Sequence, residues 1–158
     1  MQTIRQIFIS LIFPLTILAQ NNQSKIIVDK KPPLILFENN SVVPSNKKPL
    51  YETENLNFNA AIQHLFNIFK ENPKMTLQLN GYADTKESNP DSLSKKRAEL
   101  VFNELVKLGV KKKRLSVIGH GNLKPQRSEE MIEKEKTNAD KEALRLYNRR
   151  VICSILNF

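Results

Sequence analysis

Residues able to carry chemistry are few in this 158-residue chain. Cys153 is the only cysteine, and His64 and His120 are the only histidines. A single cysteine allows no intrachain disulfide and no cysteine-based zinc site. Neither histidine stands at a spacing that would gather further metal ligands. There is no glycine-rich phosphate loop and no G-x-S-x-G elbow. The one catalytic pairing left open is a hydrolase using Asp84 with His120. Recognition by charge is better supplied. Asp84 follows a segment that reads as a strand, and Arg97 falls in the first turns of one that reads as a helix. An arginine fork pairs with a carboxylate bidentately, and a helix start favours an anion. A carboxylate such as Asp84 accepts from an ammonium. A ligand side chain ending in both an ammonium and a carboxylate needs an anion and a cation at fixed separation, so that neither charge is buried alone. The alternatives are that Asp84 caps its own turn, and that Arg97 is a solvated helix charge or the partner of Asp84.

The elements that must position these residues follow from hydrophobic spacing. Leu34–Phe37 is a short apolar run between prolines and Glu38-Asn39-Asn40-Ser41, which reads as a buried strand. Residues 42–50 form a loop. Phe58, Ile62, Leu65, Phe66 and Phe69 share one helix face, and Asn72-Pro73 ends that helix. Met75, Leu77 and Leu79 alternate with polar residues, as in a half-buried strand ending at Gly81. After the polar loop 84–91, Leu93, Ala98, Val101, Phe102, Leu105 and Leu108 predict a second amphipathic helix, stopped at Gly109. Lys111–Arg114 reads as a solvated charged turn. Leu115–Ile118 is a third strand, turned by Gly119-His120-Gly121. Residues 128–147 are charged and predict one peripheral helix. Val151–Leu156 is a last strand, with Cys153 as a buried core thiol. The order is βαβαβ(α)β. The predicted class is α+β, a two-layer sandwich with two main helices on one face of a mixed four-stranded sheet.

The amino terminus bears on location. Arg5 precedes an apolar stretch, Ile7–Leu18, followed by small Ala19 and polar residues. Residues 1–19 therefore read as a secretory signal peptide, with an uncleaved anchor as the alternative, and residues 20–33 as a tether. The apolar run is short for a membrane span, and no cysteine near the cut suggests lipid attachment. The whole chain carries a net charge of +9. Loss of Arg5 with the signal leaves 24 basic against 16 acidic residues, or +8. Such a surface suits an anionic partner, and export argues against nucleic acid.

Four blocks occur in order: Phe37-Glu38-Asn39-Asn40-Ser41; Gly81-Tyr82-Ala83-Asp84; Leu93-Ser94-Lys95-Lys96-Arg97-Ala98; and Gly119-His120-Gly121-Asn122-Leu123-Lys124-Pro125, with Asn148-Arg149-Arg150-Val151 later. Together they resemble the OmpA C-terminal-like (OmpA/MotB) peptidoglycan-binding domains over residues 34–156. The domain is taken as 34–158. The resemblance implies non-covalent binding of peptidoglycan in the periplasm of a Gram-negative envelope, with association to the outer membrane, no cofactor and no catalysis. It implies that Asp84 and Arg97 bind the diaminopimelate of the stem peptide, with Ala83 and Leu93 of the same blocks beside them. Asn40 and Ser41 either line the pocket or form a plain polar turn. Of the terminal arginines, Arg150 is favoured over Arg149 to face the site, a sheet-surface pair being the alternative.

Two departures stand out. Loop 85–92 is shorter than is common in the family and carries Pro90, which is expected to alter the pocket. Residues 126–147 replace a short segment with Gly-Arg, removing a basic residue often near the site. The competing reading is an envelope scaffold that keeps the fold, has a weakened pocket and docks a protein partner through 126–147.

Overall fold

The computed structural model describes residues 32–47 and 56–157. The expected signal peptide, and all of the tether but Pro32 and Pro33, lie outside the described residues. Eight elements follow in order: β1 (Ile35–Leu36), α1 (Phe58–Glu71), β2 (Thr76–Gly81), α2 (Pro90–Lys107), β3 (Leu115–Gly119), α3 (Glu129–Glu133), α4 (Asn138–Asn148) and β4 (Arg150–Asn157). A short 3-10 turn, Lys112–Arg114, leads into β3. The four strands form one sheet in the order β1-β4-β2-β3. β2 pairs parallel with β3, while β4 pairs antiparallel with β2 and with β1. The sheet is mixed and the fold α+β, as its pattern predicts.

Strand alternation builds the core. Leu77, Leu79 and Gly81 of β2 lie beside Leu115, Val117 and Gly119 of β3 and beside Ile155, Cys153 and Val151 of β4. These aliphatic residues share one core with Ala61, Ile62, Leu65, Ile68 and Phe69 of α1 and Ala98, Val101 and Leu105 of α2. Phe58, Phe66 and Phe102 are only partly buried at its edge, and Leu108 is exposed. Cys153 packs against this core, and burial pushes its thiol up to about 12. Asn57 starts α1 by accepting from the Ala60 N–H at 2.9 Å, which satisfies one otherwise unpaired donor.

Two expectations need correction. Residues 128–147 form two helices rather than one, and they are not simply peripheral. Ile132, Leu144 and Tyr147 make a second buried cluster, closed by Leu34. A few apolar residues at helical spacing suffice because Leu34 lends its side chain from outside the segment. Arg114 is also not a solvated turn residue. Its guanidinium donates to the carbonyls of Met75 and Asn72 at 2.9 and 2.5 Å and stacks over Phe69. It thereby caps the carboxyl end of α1, where carbonyls lack helical partners.

The start of α2 sits hard against the ends of two central strands. A Cβ on Gly81 would lie 1.9 Å from the Ser94 carbonyl oxygen, and one on Gly119 2.7 Å from the Lys95 nitrogen. Glycine is required at both because the neighbour is backbone. This approach brings Arg97, one turn further on, over the end of β2. Gly81→Ala must push α2 off the sheet, and the expected loss is about 3 kcal/mol, the upper part of the overpacking range. Urea unfolding at equal m-value checks it. A loss below about 0.5 kcal/mol would show that α2 does not depend on this contact.

Candidate functional site

Arg97 projects from the second turn of α2 into the interior, and its side chain is fully buried. A buried guanidinium needs a partner for each nitrogen. Nε donates to the Ser41 carbonyl at 3.0 Å. Nη1 donates to the Tyr82 carbonyl at 3.2 Å, and Nη2 to those of Glu38 and Ser41 at 3.1 and 2.9 Å. The charge is met by Glu87, whose side chain is equally buried. Nη2 donates to its Oε1 at 2.5 Å and Nη1 to its Oε2 at 2.7 Å, a bidentate pair. Each carboxylate oxygen takes one more donor from backbone. The Asn40 N–H reaches Oε1 at 2.7 Å and the Asp84 N–H reaches Oε2 at 3.0 Å. Phe37 floors the site, 5.4 Å below the guanidinium.

The loop between β2 and α2 delivers Glu87. Its residues fold back on Asp84: the Lys86 N–H donates to Asp84 Oδ1 and the Glu87 N–H to the Asp84 carbonyl. Asn40 pins the loop from the other side. Its Oδ1 accepts from the N–H and hydroxyl of Ser88 at 2.8 and 2.9 Å. Asn40 has a φ of +48°, a left-handed conformation that asparagine tolerates better than most residues.

Asp84 does not pair with Arg97. It is buried, and Oδ1 accepts from Arg145 at 2.8 Å while Oδ2 accepts from Asn148 at 2.9 Å. Arg145 also pairs bidentately with Glu129, at 2.7 and 2.6 Å. This arginine comes from the segment expected to have lost a basic residue near the site, so that expectation is corrected: α4 supplies one. The hydrogen bonds from Arg145, then that from the Thr85 hydroxyl, hold the Glu129 carboxyl at about 2. Those to Glu129, then Asp84, raise Arg145 further above the ordinary arginine value.

The remaining candidates are dispersed. Ser41 contributes its carbonyl to Arg97, while its hydroxyl accepts from the Val43 N–H. Ala83 is buried, its N–H donating to the Gly121 carbonyl. Leu93 is half-buried on the first turn of α2. Arg150 lies on the sheet face opposite Val151, whose side chain packs in the core with α1 and α2. It stacks 4.0 Å from Tyr82 and donates to the Tyr147 and Lys124 carbonyls. Arg149 donates to the Phe37 carbonyl and to Glu142. His120 stacks on Tyr82 and bonds Asn80 at 2.8 Å. Burial, then the charges of Lys124 and Arg150, lowers its pKa. These contacts leave no Asp84–His120 pairing. Among the described residues no group of side chains could hold a metal ion.

Sequence reasoning missed Glu87 and Arg145. The available signals were an acidic residue three after Asp84 in a turn-forming loop, and an arginine three before Asn148 in the last block.

Arg97→Ala leaves Glu87 buried without its counter-charge, and about 3–5 kcal/mol should be lost. The double change Arg97→Ala with Glu87→Ala should cost clearly less than the sum of the single changes. A double-mutant cycle by denaturation measures this, and additivity would show that the two do not act as a unit. The Glu129 carboxyl is held low, so its contribution to stability is complete above the unfolded value of 4.5 and is lost as pH falls toward 2. The stability gap between the protein and Glu129→Gln should narrow over that window; a constant gap would contradict the pairing.

The sequence matches the OmpA family over residues 48–139. No curated protein matches the chain significantly. Among solved structures, the peptidoglycan-associated lipoprotein from Burkholderia pseudomallei superposes with a TM-score of 0.58 at 20% identity, covering 85% of this chain and 97% of the other. The C-terminal domain of Helicobacter pylori MotB gives 0.57 at 21% identity, covering 79% and 84%. A longer periplasmic domain of the same protein gives 0.55 at 21%, covering 76% and 67%. These similarities show a shared fold, and the family match spans more than half of the sequence: the chain belongs to the OmpA family.

Proposed function

We propose that this chain is an anchor domain of the bacterial envelope that holds peptidoglycan non-covalently, by the diaminopimelate residue of its stem peptide. The family is one of structural proteins, not enzymes. One of the structures it resembles is described as a peptidoglycan-associated lipoprotein, and others as periplasmic domains. The observation that carries the reading is the Arg97 pocket. Two guanidinium nitrogens and two backbone N–H groups converge on one carboxylate, which is what a stem-peptide carboxylate requires. Asp84 contributes one of those N–H groups; in this reading its carboxylate, held here by Arg145 and Asn148, turns to the ligand's ammonium. Export by residues 1–19 would bring the domain to the periplasm and the outer membrane. No helix among the described residues is long and apolar enough to cross a membrane.

A specific observation favours a second reading. Asp84 is engaged by Arg145 and Asn148, and Arg97 by Glu87. A domain with such internal pairing could serve as a scaffold, docking an envelope protein through residues 126–147. Co-sedimentation with diaminopimelate-type sacculi at about 0.15 M salt, where long-range attraction is screened, separates the two. Retention of the protein, reduced at least tenfold by Asp84→Asn and by the Glu87→Ala, Arg97→Ala double change, is the expected result. No retention at tens of micromolar would mean that about 6–7 kcal/mol of binding free energy is absent, and would select the scaffold.

A further inference from the structure

The Glu87 carboxylate sits where a ligand carboxylate has to sit. It takes two donors on each oxygen, from Arg97, Asn40 and Asp84, with no side-chain surface open to solvent. The seat is therefore a complete carboxylate site whose occupant belongs to the chain. Its occupant is attached to residues 85–89, which belong to no strand or helix. They are the second part of the connection from β2 to α2. Beyond the Arg97 pair they are held by Asn40, through Ser88 and Glu87, by Asp84, through Lys86 and Glu87, and at the surface by Thr85 on Glu129 and Lys86 on Glu133. Arg97 also has backbone acceptors in Glu38, Ser41 and Tyr82, none of which belongs to loop 85–89. The seat can thus persist when its occupant withdraws.

We propose that Glu87 is a built-in competitor: an external carboxylate reaches Arg97 only by exchanging with it, and loop 85–89 swings out as it does so. This rests on the peptidoglycan reading for the identity of the external group, a stem-peptide amino acid carboxylate, but not for the exchange itself. The consequence is a domain whose affinity is set by competition within the chain. A ligand that offers a carboxylate alone replaces like with like and gains little. One that adds an ammonium also competes with Arg145 and Asn148 for Asp84, a contact that Glu87 cannot make, so the plug also selects for a ligand carrying both charges.

Glu87→Ala removes the atoms of an acetate ion, so acetate is the first probe. In thermal unfolding, 50 mM sodium acetate against equal sodium chloride should raise the Tm of Glu87→Ala by a few degrees and leave the wild type unmoved. Glu87→Gln, which keeps the seat filled, should respond like wild type. meso-Diaminopimelate should stabilise Glu87→Ala at lower concentration than acetate. If Glu87→Ala does not fold, Glu87→Asp, whose shorter side chain reaches the seat less well, must show the same preference for acetate. No carboxylate-specific shift in the folded variant overturns the exchange. Sacculus co-sedimentation then isolates the ligand. Retention of Glu87→Ala at least tenfold tighter than wild type supports competition on peptidoglycan, and equal non-zero retention overturns it. An acetate shift with no retention of either protein supports the exchangeable seat and removes the peptidoglycan reading alone.

Discussion

The buried pair of Arg97 and Glu87 organises the end of the sheet where the site lies. A guanidinium and a carboxylate with no access to water persist only if every polar atom is satisfied. Arg97 meets that demand by drawing carbonyls from Glu38 and Ser41 after β1 and from Tyr82 after β2. Glu87 meets it with the N–H groups of Asn40 and Asp84. Two loops distant in sequence are thereby fastened to α2 through one ion pair. The constraint upstream is steric: only glycine at 81 and 119 lets α2 come close enough for Arg97 to reach inward.

Arginine is used throughout as an internal clamp. Arg97, Arg145, Arg149 and Arg150 are all buried, and each spends its donors on carbonyls or carboxylates from other segments. Arg114 does the same for the carboxyl end of α1. The fork geometry explains the choice, since several donors in one plane can join elements that a single ammonium cannot. The chain's excess of basic residues thus divides in two. Its arginines are largely structural, while lysines such as Lys86, Lys95 and Lys134, well exposed in their surface pairs, supply the field that an anionic polymer would meet.

The site joins two layers of pairing. The inner one, Arg97 with Glu87, links α2 to the loop that precedes it. The outer one, Asp84 with Arg145 and Asn148, links the end of β2 to α4. Glu129 and Glu133 extend the outer layer to the surface. Residues 126–147 are therefore part of the site's support, seated on their own cluster of Ile132, Leu144 and Tyr147.

Local pattern in the sequence determined most of the fold. The alternation of Met75, Leu77 and Leu79, the stripe of α1 and the four blocks with their glycines each depend on neighbours in sequence or on a backbone requirement that a residue type records directly. The same blocks located Asp84 and Arg97. What faced them was decided only in three dimensions. Glu87 looks like any loop carboxylate until the loop folds back on Asp84 and Asn40 pins it. Arg145 looks like a helix surface charge until the cluster of Ile132, Leu144 and Tyr147 seats α4 within reach of Asp84. Arg150 was placed by strand parity, which sends it to the face opposite Val151. Charge type and helical or strand period are written residue by residue, whereas the partner of a buried charge depends on which segments the packed core brings within about 3 Å of it.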